Sequence, residues 1–182
     1  MCGIVGIVGS TTVTERLVEG LRRLEYRGYD SAGVAVITPE GVLERRRAPG
    51  KISGLDQAIA SDPADGAVGI GHTRWATHGA PTLENAHPHA SGPVAIVHNG
   101  IIENYAELRE ELKAAGFACS TPTDSEVIAH LIAAGLKRGL DMAGAFHAAV
   151  DRLRGAYALA ALNVEDPDAL YVARSGCPLV VG

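Results

Sequence analysis

Aromatic side chains are scarce in this chain. Its 182 residues include two Phe and one Trp, so a core must be built mainly from Val, Ile, Leu and Ala. Cysteine is nearly absent as well. Cys2, Cys119 and Cys177 are few, odd in number and far apart, with no CxxC. That excludes a disulfide framework and suits a reduced, cytoplasmic setting. No apolar run is long enough to span a bilayer, so no membrane partner is expected. The start has neither a basic region nor a long apolar segment before a small-residue cleavage site, so no signal peptide is expected. Positive charge is not in excess either. A formal net charge of −5 argues against a nucleic-acid partner held by broad electrostatics. The one basic run, Arg45-Arg46-Arg47, follows a strand-like stretch and reads as a solvated edge. No repeat and no linker is visible, and the length suits one domain rather than two.

What is present begins at the second residue. The chain opens Met1-Cys2-Gly3-Ile4-Val5-Gly6. Removal of Met1 would leave Cys2 with a thiol nucleophile and a free α-amine on one carbon, so the nucleophile carries its own base. The unperturbed amine titrates at about 7.7–8.0 and the thiol at about 8.5, which makes proton exchange between them cheap. A buried, inert Cys is the alternative.

The pattern along the chain places strands at Ile4–Val8, Gly33–Ile37, Ala67–His72 and Val94–His98. A return strand starts at Val42-Leu43, after the turn Pro39-Glu40-Gly41. Thr12-Val13-Thr14-Glu15 reads as a capping box. It precedes a helix carrying Val13, Leu17, Leu21 and Leu24 and stopped by Gly28. Further helices are expected over 53–60, Asn104–Ala115, from the cap Thr123-Asp124-Ser125-Glu126 onward, and over Asp141–Leu153. Two strands follow, Ala156–Val164 and Ala169–Ala173. Pro178–Gly182 looks like the start of another, so the chain reads as a fragment. Strand pairs, then helices, then strands favour an α+β fold with a largely antiparallel sheet. Between Thr73 and Pro93 lies a long aperiodic stretch, expected to be a functional loop.

That loop holds His72-Thr73-Arg74-Trp75-Ala76-Thr77-His78-Gly79. An Arg there can bind a carboxylate through two parallel hydrogen bonds; a solvated surface Arg is the alternative. His87-Pro88-His89 puts two His at i and i+2 without a third ligand, a poor zinc site. No metal is expected. In His98-Asn99-Gly100, the Asn amide and the Gly N–H could form an oxyanion hole, or the pair could be a hairpin turn. Asp124 could pair with a substrate ammonium or simply cap a helix. A thiol, its amine, two oxyanion donors, an Arg and an Asp together suit an amino acid whose side-chain carbonyl is attacked.

These motifs resemble the class II glutamine amidotransferases, a branch of the N-terminal-nucleophile hydrolases. Cys2-Gly3-Ile4-Val5-Gly6 is similar to their opening. Leu24-Glu25-Tyr26-Arg27-Gly28-Tyr29-Asp30-Ser31-Ala32-Gly33 resembles the glutamine–fructose-6-phosphate aminotransferase branch. So do the Arg74 motif, Asn85-Ala86-His87-Pro88-His89, His98-Asn99-Gly100-Ile101-Ile102-Glu103-Asn104, Thr123-Asp124-Ser125-Glu126-Val127 and Leu153-Arg154-Gly155-Ala156-Tyr157. The amidophosphoribosyltransferase branch shares the opening but is not expected to carry the Glu25–Asp30 motif. The resemblance implies a four-layer α/β/β/α sandwich of two mainly antiparallel sheets, incomplete at its end. Residues 1–182 would be the glutaminase domain, without the sugar isomerase domains. It implies that Cys2 attacks L-glutamine and that Asn99 and Gly100 hold the oxyanion. Arg74 would take the α-carboxylate, supported by Thr77 and His78. Asp124 would take the α-ammonium, and Trp75 would sit in the closing loop. No cofactor is expected. Fructose 6-phosphate would be bound by the absent half, and the full-length enzyme is expected to be a homodimer. A non-catalytic fragment is the alternative outside enzymes.

Overall fold

The computed structural model describes residues 2–75 and 79–182. It contains two four-stranded sheets in the orders β1-β4-β2-β3 and β5-β6-β7-β8. The first joins Gly3–Val8 (β1), Ser31–Ile37 (β2), Leu43–Pro49 (β3) and Val68–Arg74 (β4). The second joins His89–Ser91 (β5), Val94–Ile102 (β6), Gly155–Asn163 (β7) and Asp166–Ser175 (β8). The paired strands are antiparallel throughout.

Side-chain alternation explains the layering. In β2, every residue is buried, because the strand is covered on both faces. Val34 and Val36 pack with Leu17 and Leu21 of Thr14–Leu24 (α1) and Leu55 of Ile52–Ser61 (α2). Ala35 and Ile37 point the other way. They join Val68 and Ile70 of β4 and Ala95, Val97, Ala160 and Leu162 of the second sheet. A third cluster seats Tyr105–Ala114 (α3), Glu126–Lys137 (α4) and Met142–Val150 (α5) on the outer face of the second sheet. The result is the α/β/β/α sandwich, and its layers are held by aliphatic side chains, as the lack of aromatics requires.

Several local expectations are corrected. The Thr12 box does not cap α1: Val13 is its N-cap residue, and no side chain caps it. Thr12 and Thr14 instead donate to Asp65 and the Ala64 carbonyl across the layer. The strand expected to stop at His98 runs on to Ile102, since β7 pairs with it along that whole length. The long loop is shorter than expected, because β4 reaches Arg74 and β5 starts at His89. Residues 178–182 form no strand. The Arg45–Arg47 run does lie on an edge strand, but it is not simply solvated. Arg45 donates to the Pro88 carbonyl and Arg47 to those of Glu84 and Ala86. Arg46 donates to Glu44 and to the Asp62 and Pro63 carbonyls.

Candidate active site

Cys2 immediately precedes β1, whose hydrogen-bonded neighbour is β4. That pairing sets Gly3 opposite Thr73, and the Gly3 N–H donates to the Thr73 hydroxyl at 3.2 Å. The thiol therefore lands at the end of β4. There the Trp75 N–H points at Sγ from 3.1 Å. Burial pushes the Cys2 thiol up, while the Trp75 N–H and the Arg74 charge pull it back only in part.

Asn99 reaches the same spot from the other sheet. Its Nδ2 donates to the Cys2 carbonyl at 3.1 Å, and its Oδ1 lies 2.9 Å from His72 Nε2. The hairpin-turn alternative is excluded, because Asn99 and Gly100 are mid-strand, opposite Ala158 and Tyr157. Gly100 has φ +127, and a Cβ there would sit 2.0 Å from the Ala156 carbonyl oxygen. Only glycine suits that conformation.

Two opposite charges line the cavity that the thiol faces. Arg74 is 3% exposed, and burial pulls its guanidinium down against the charges of Cys2, Asp30 and Asp124. It donates to the carbonyls of Ala80 and Gly79, each at 3.1 Å. Asp124 is 4% exposed. It does not cap α4, whose N-cap residue is Ser125. Instead Oδ2 accepts the Ile102 N–H at 2.8 Å and Oδ1 the Ser125 hydroxyl at 3.4 Å. This bond ties the carboxylate to the end of β6, two residues beyond Gly100.

Cys2, Arg74, Trp75, Asn99, Gly100 and Asp124 all line one cavity of about 670 Å³, a size that suits a small molecule. The Trp75 ring is 45% exposed and stands edge-on to Tyr29, with centroids 5.6 Å apart. Thr77 and His78 lie outside the described residues. Sequence reasoning gave no role to Thr73 or Ser125, which reach the site only through tertiary contacts. It also gave none to the buried His72. His98 joins Ser125 through Nδ1 at 2.8 Å. His87 and His89 pack edge-on, 4.6 Å between centroids, and His89 meets the Thr123 hydroxyl at 3.3 Å. Among the described residues, the ligand atoms of Cys119, Glu126 and His130 gather within 4.8 Å. There the Glu126 carboxylate already accepts from Ser120 and Thr121.

The family model for the glutamine amidotransferase domain matches residues 73–180. The chain belongs to the glutamine amidotransferase domain family. A domain of this family takes its nitrogen from glutamine. The domain is similar to the glutamine–fructose-6-phosphate aminotransferase of Pseudomonas putida, at 61% identity over 100% of this chain and 30% of that one. Its identity to the enzyme of the same name from Pseudomonas syringae pv. tomato is 60%, with the same coverage. The chain thus spans 30% of the length of these curated relatives. The glutamine phosphoribosylpyrophosphate amidotransferase from B. subtilis shares the fold, with a TM-score of 0.75 and 28% identity over 90% of this chain and 35% of that one. This amidotransferase domain accordingly has the two-sheet architecture that the resemblance implied.

Proposed function

We propose that residues 1–182 form the glutaminase part of a glutamine–fructose-6-phosphate aminotransferase, with the Cys2 thiol as nucleophile. The observation that carries this is that Cys2, Asn99, the buried Arg74 and the buried Asp124 line one cavity, with the Asn99 amide held on the Cys2 backbone. Identity of 61% to an aminotransferase against 28% to the phosphoribosylpyrophosphate enzyme favours fructose 6-phosphate as acceptor.

Removal of Met1 frees the α-amine of Cys2. Arg74 takes the glutamine α-carboxylate and Asp124 the α-ammonium, so the side-chain amide points at Sγ. Thr77 and His78 support Arg74, a role assigned from the motif alone. The thiol proton passes to the α-amine as sulfur bonds to the amide carbon. Asn99 Nδ2 and the Gly100 N–H receive the negative oxygen. Collapse breaks the C–N bond; the α-amine returns its proton to the leaving nitrogen, and ammonia departs. A thioester remains on Cys2. Water adds to it, the C–S bond breaks, and glutamate leaves. Trp75 closes the mouth of the cavity during these steps. The remaining length of the longer protein binds fructose 6-phosphate, and the whole is a cytoplasmic homodimer.

The test pairs the state of the N-terminus with activity. Mass spectrometry sorts preparations with Met1 removed from preparations that retain it, and each is assayed for glutamate release. Only the first is expected to turn over. Equal turnover by the Met1-bearing form would contradict the self-basic nucleophile.

A further inference from the structure

The Asn99 side chain presents a problem of orientation. An amide has a C=O end and an NH₂ end of nearly equal size. Only the NH₂ end can receive a negative oxygen. Sterics alone do not choose between them.

We propose that His72 is a positioning residue that fixes which end of the Asn99 amide faces Cys2. The inference deepens the proposed function and rests on its reading of Asn99 as an oxyanion donor. His72 belongs to β4, opposite Ile4 of β1 and Gly33 of β2. Its ring spans the gap to β6 in the other sheet. Nε2 lies 3.0 Å from the His98 carbonyl oxygen and 2.9 Å from the Asn99 side chain. A backbone carbonyl only accepts, so Nε2 must carry the hydrogen. With that hydrogen in place, the Asn99 atom beside it must be Oδ1. A flipped amide would set NH₂ against N–H. The NH₂ end is thereby turned to the Cys2 carbonyl, 3.1 Å away.

Several features keep the His72 ring in this role. It is 1% exposed. His87 stacks on it at 4.1 Å between centroids, with 28° between the planes. His87 comes this close because Gly33, the neighbour of His72 on β2, has no side chain: a Cβ there would sit 2.2 Å from the His87 carbonyl oxygen. Among the described residues, Nδ1 of His72 has no hydrogen-bond partner, so the opposite tautomer would gain nothing on that side and would lose the bond to the His98 carbonyl. Burial also drives the ring down to about 3, which keeps it neutral near pH 7.

The experiment has two arms. In the first, the ring nitrogens of His72 are read by long-range ¹⁵N–¹H NMR on the unmutated chain with Met1 removed. Hydrogen on Nε2 is expected; hydrogen on Nδ1 overturns the proposal. This arm needs neither activity nor a folded variant. In the second, His72→Phe keeps an aromatic ring for the stack but no donor. Its kcat for glutamine hydrolysis is expected to fall at least about tenfold, short of the roughly 10²–10³ lost with a whole oxyanion donor. KM should stay within about threefold, since the bond matters in the transition state. His72→Gln restores a donor and should regain most of the loss. Unchanged kcat in His72→Phe overturns the proposal, as does an equal loss in His72→Gln. If the unmutated chain hydrolyses no glutamine, the glutaminase reading fails, while the NMR arm still decides whether His72 orients the amide.

Discussion

At the scale of single residues, the site is a set of polar atoms brought to one thiol. Burial raises Cys2 above the usual thiol range, so a chain that keeps Met1 should hold the thiol protonated at neutral pH. Its alkylation by iodoacetamide is expected to be slower than that of an exposed cysteine, and removal of Met1 should speed it. Equal rates before and after removal would count against the α-amine as base. Asn99→Ala should lower the glutaminase kcat by about 10²–10³, the usual loss for one oxyanion donor; initial rates at saturating glutamine check this. Cys2, Arg74, Asn99 and Asp124 were legible because each stands in a motif that suits amino-acid chemistry. The alternatives beside them were not removable from sequence alone. An Asn-Gly pair becomes a turn or stays mid-strand according to its partner strand, here β7. Asp124 caps a helix or braces a strand according to whether Ile102 comes near. His72 and Thr73 stayed silent for the same reason: the contacts that give them meaning come from other strands.

At the scale of elements, periodicity found each helix and most strands but misjudged their ends. The reason is tertiary. Thr12 and Thr14 could have capped α1, yet Asp65 and the Ala64 carbonyl take their hydroxyls. β2 shows no polar alternation because both of its faces are covered. The Arg45–Arg47 run reads as a solvated edge, but the backbone of 84–88 supplies carbonyls to Arg45 and Arg47. The extension of β6 matters most, because it carries Gly100 into the cavity with φ +127. Gly100→Ala combines a disfavoured conformation with a clash on the Ala156 carbonyl. It should cost at least about 1–3 kcal/mol, the usual range for a strained backbone site. Urea unfolding of the variant measures the loss. An unchanged midpoint would mean that this stretch of β6 relaxes freely.

At the scale of the whole molecule, stability depends on a middle layer of modest aliphatic side chains and on histidines buried beside it. Leu162 is fully buried between the sheets. Leu162→Ala should cost about 2–5 kcal/mol, the usual range for such a truncation, read from the shift of the urea midpoint. Burial holds both His72 and His89 at about 3, against an ordinary value of 6.5. Between those values the unfolded chain binds protons that the native chain refuses. Stability is therefore complete above pH 6.5 and falls as the pH drops toward 3, by about 1.4 kcal/mol per pH unit for each such group. Glu126 adds to the same trend. Burial alone would raise its carboxyl, but His130, Ser120 and Thr121 overcome that and hold it well below the usual range. Its contribution is present above the unfolded carboxylate value and is lost in stronger acid. Urea unfolding at pH 8, 7, 6 and 5 should give equal midpoints at pH 8 and 7 and falling ones at pH 6 and 5.

The proposed reaction depends on the Cys2 thiol as the nucleophile toward glutamine. It is tested most directly by the initial rate of glutamate release from the chain with Met1 removed, measured beside Cys2→Ala. The unmutated chain is expected to release glutamate and ammonia in equal amounts. Cys2→Ala is expected to release neither while unfolding at the same urea concentration. Comparable turnover by a folded Cys2→Ala protein would contradict the account.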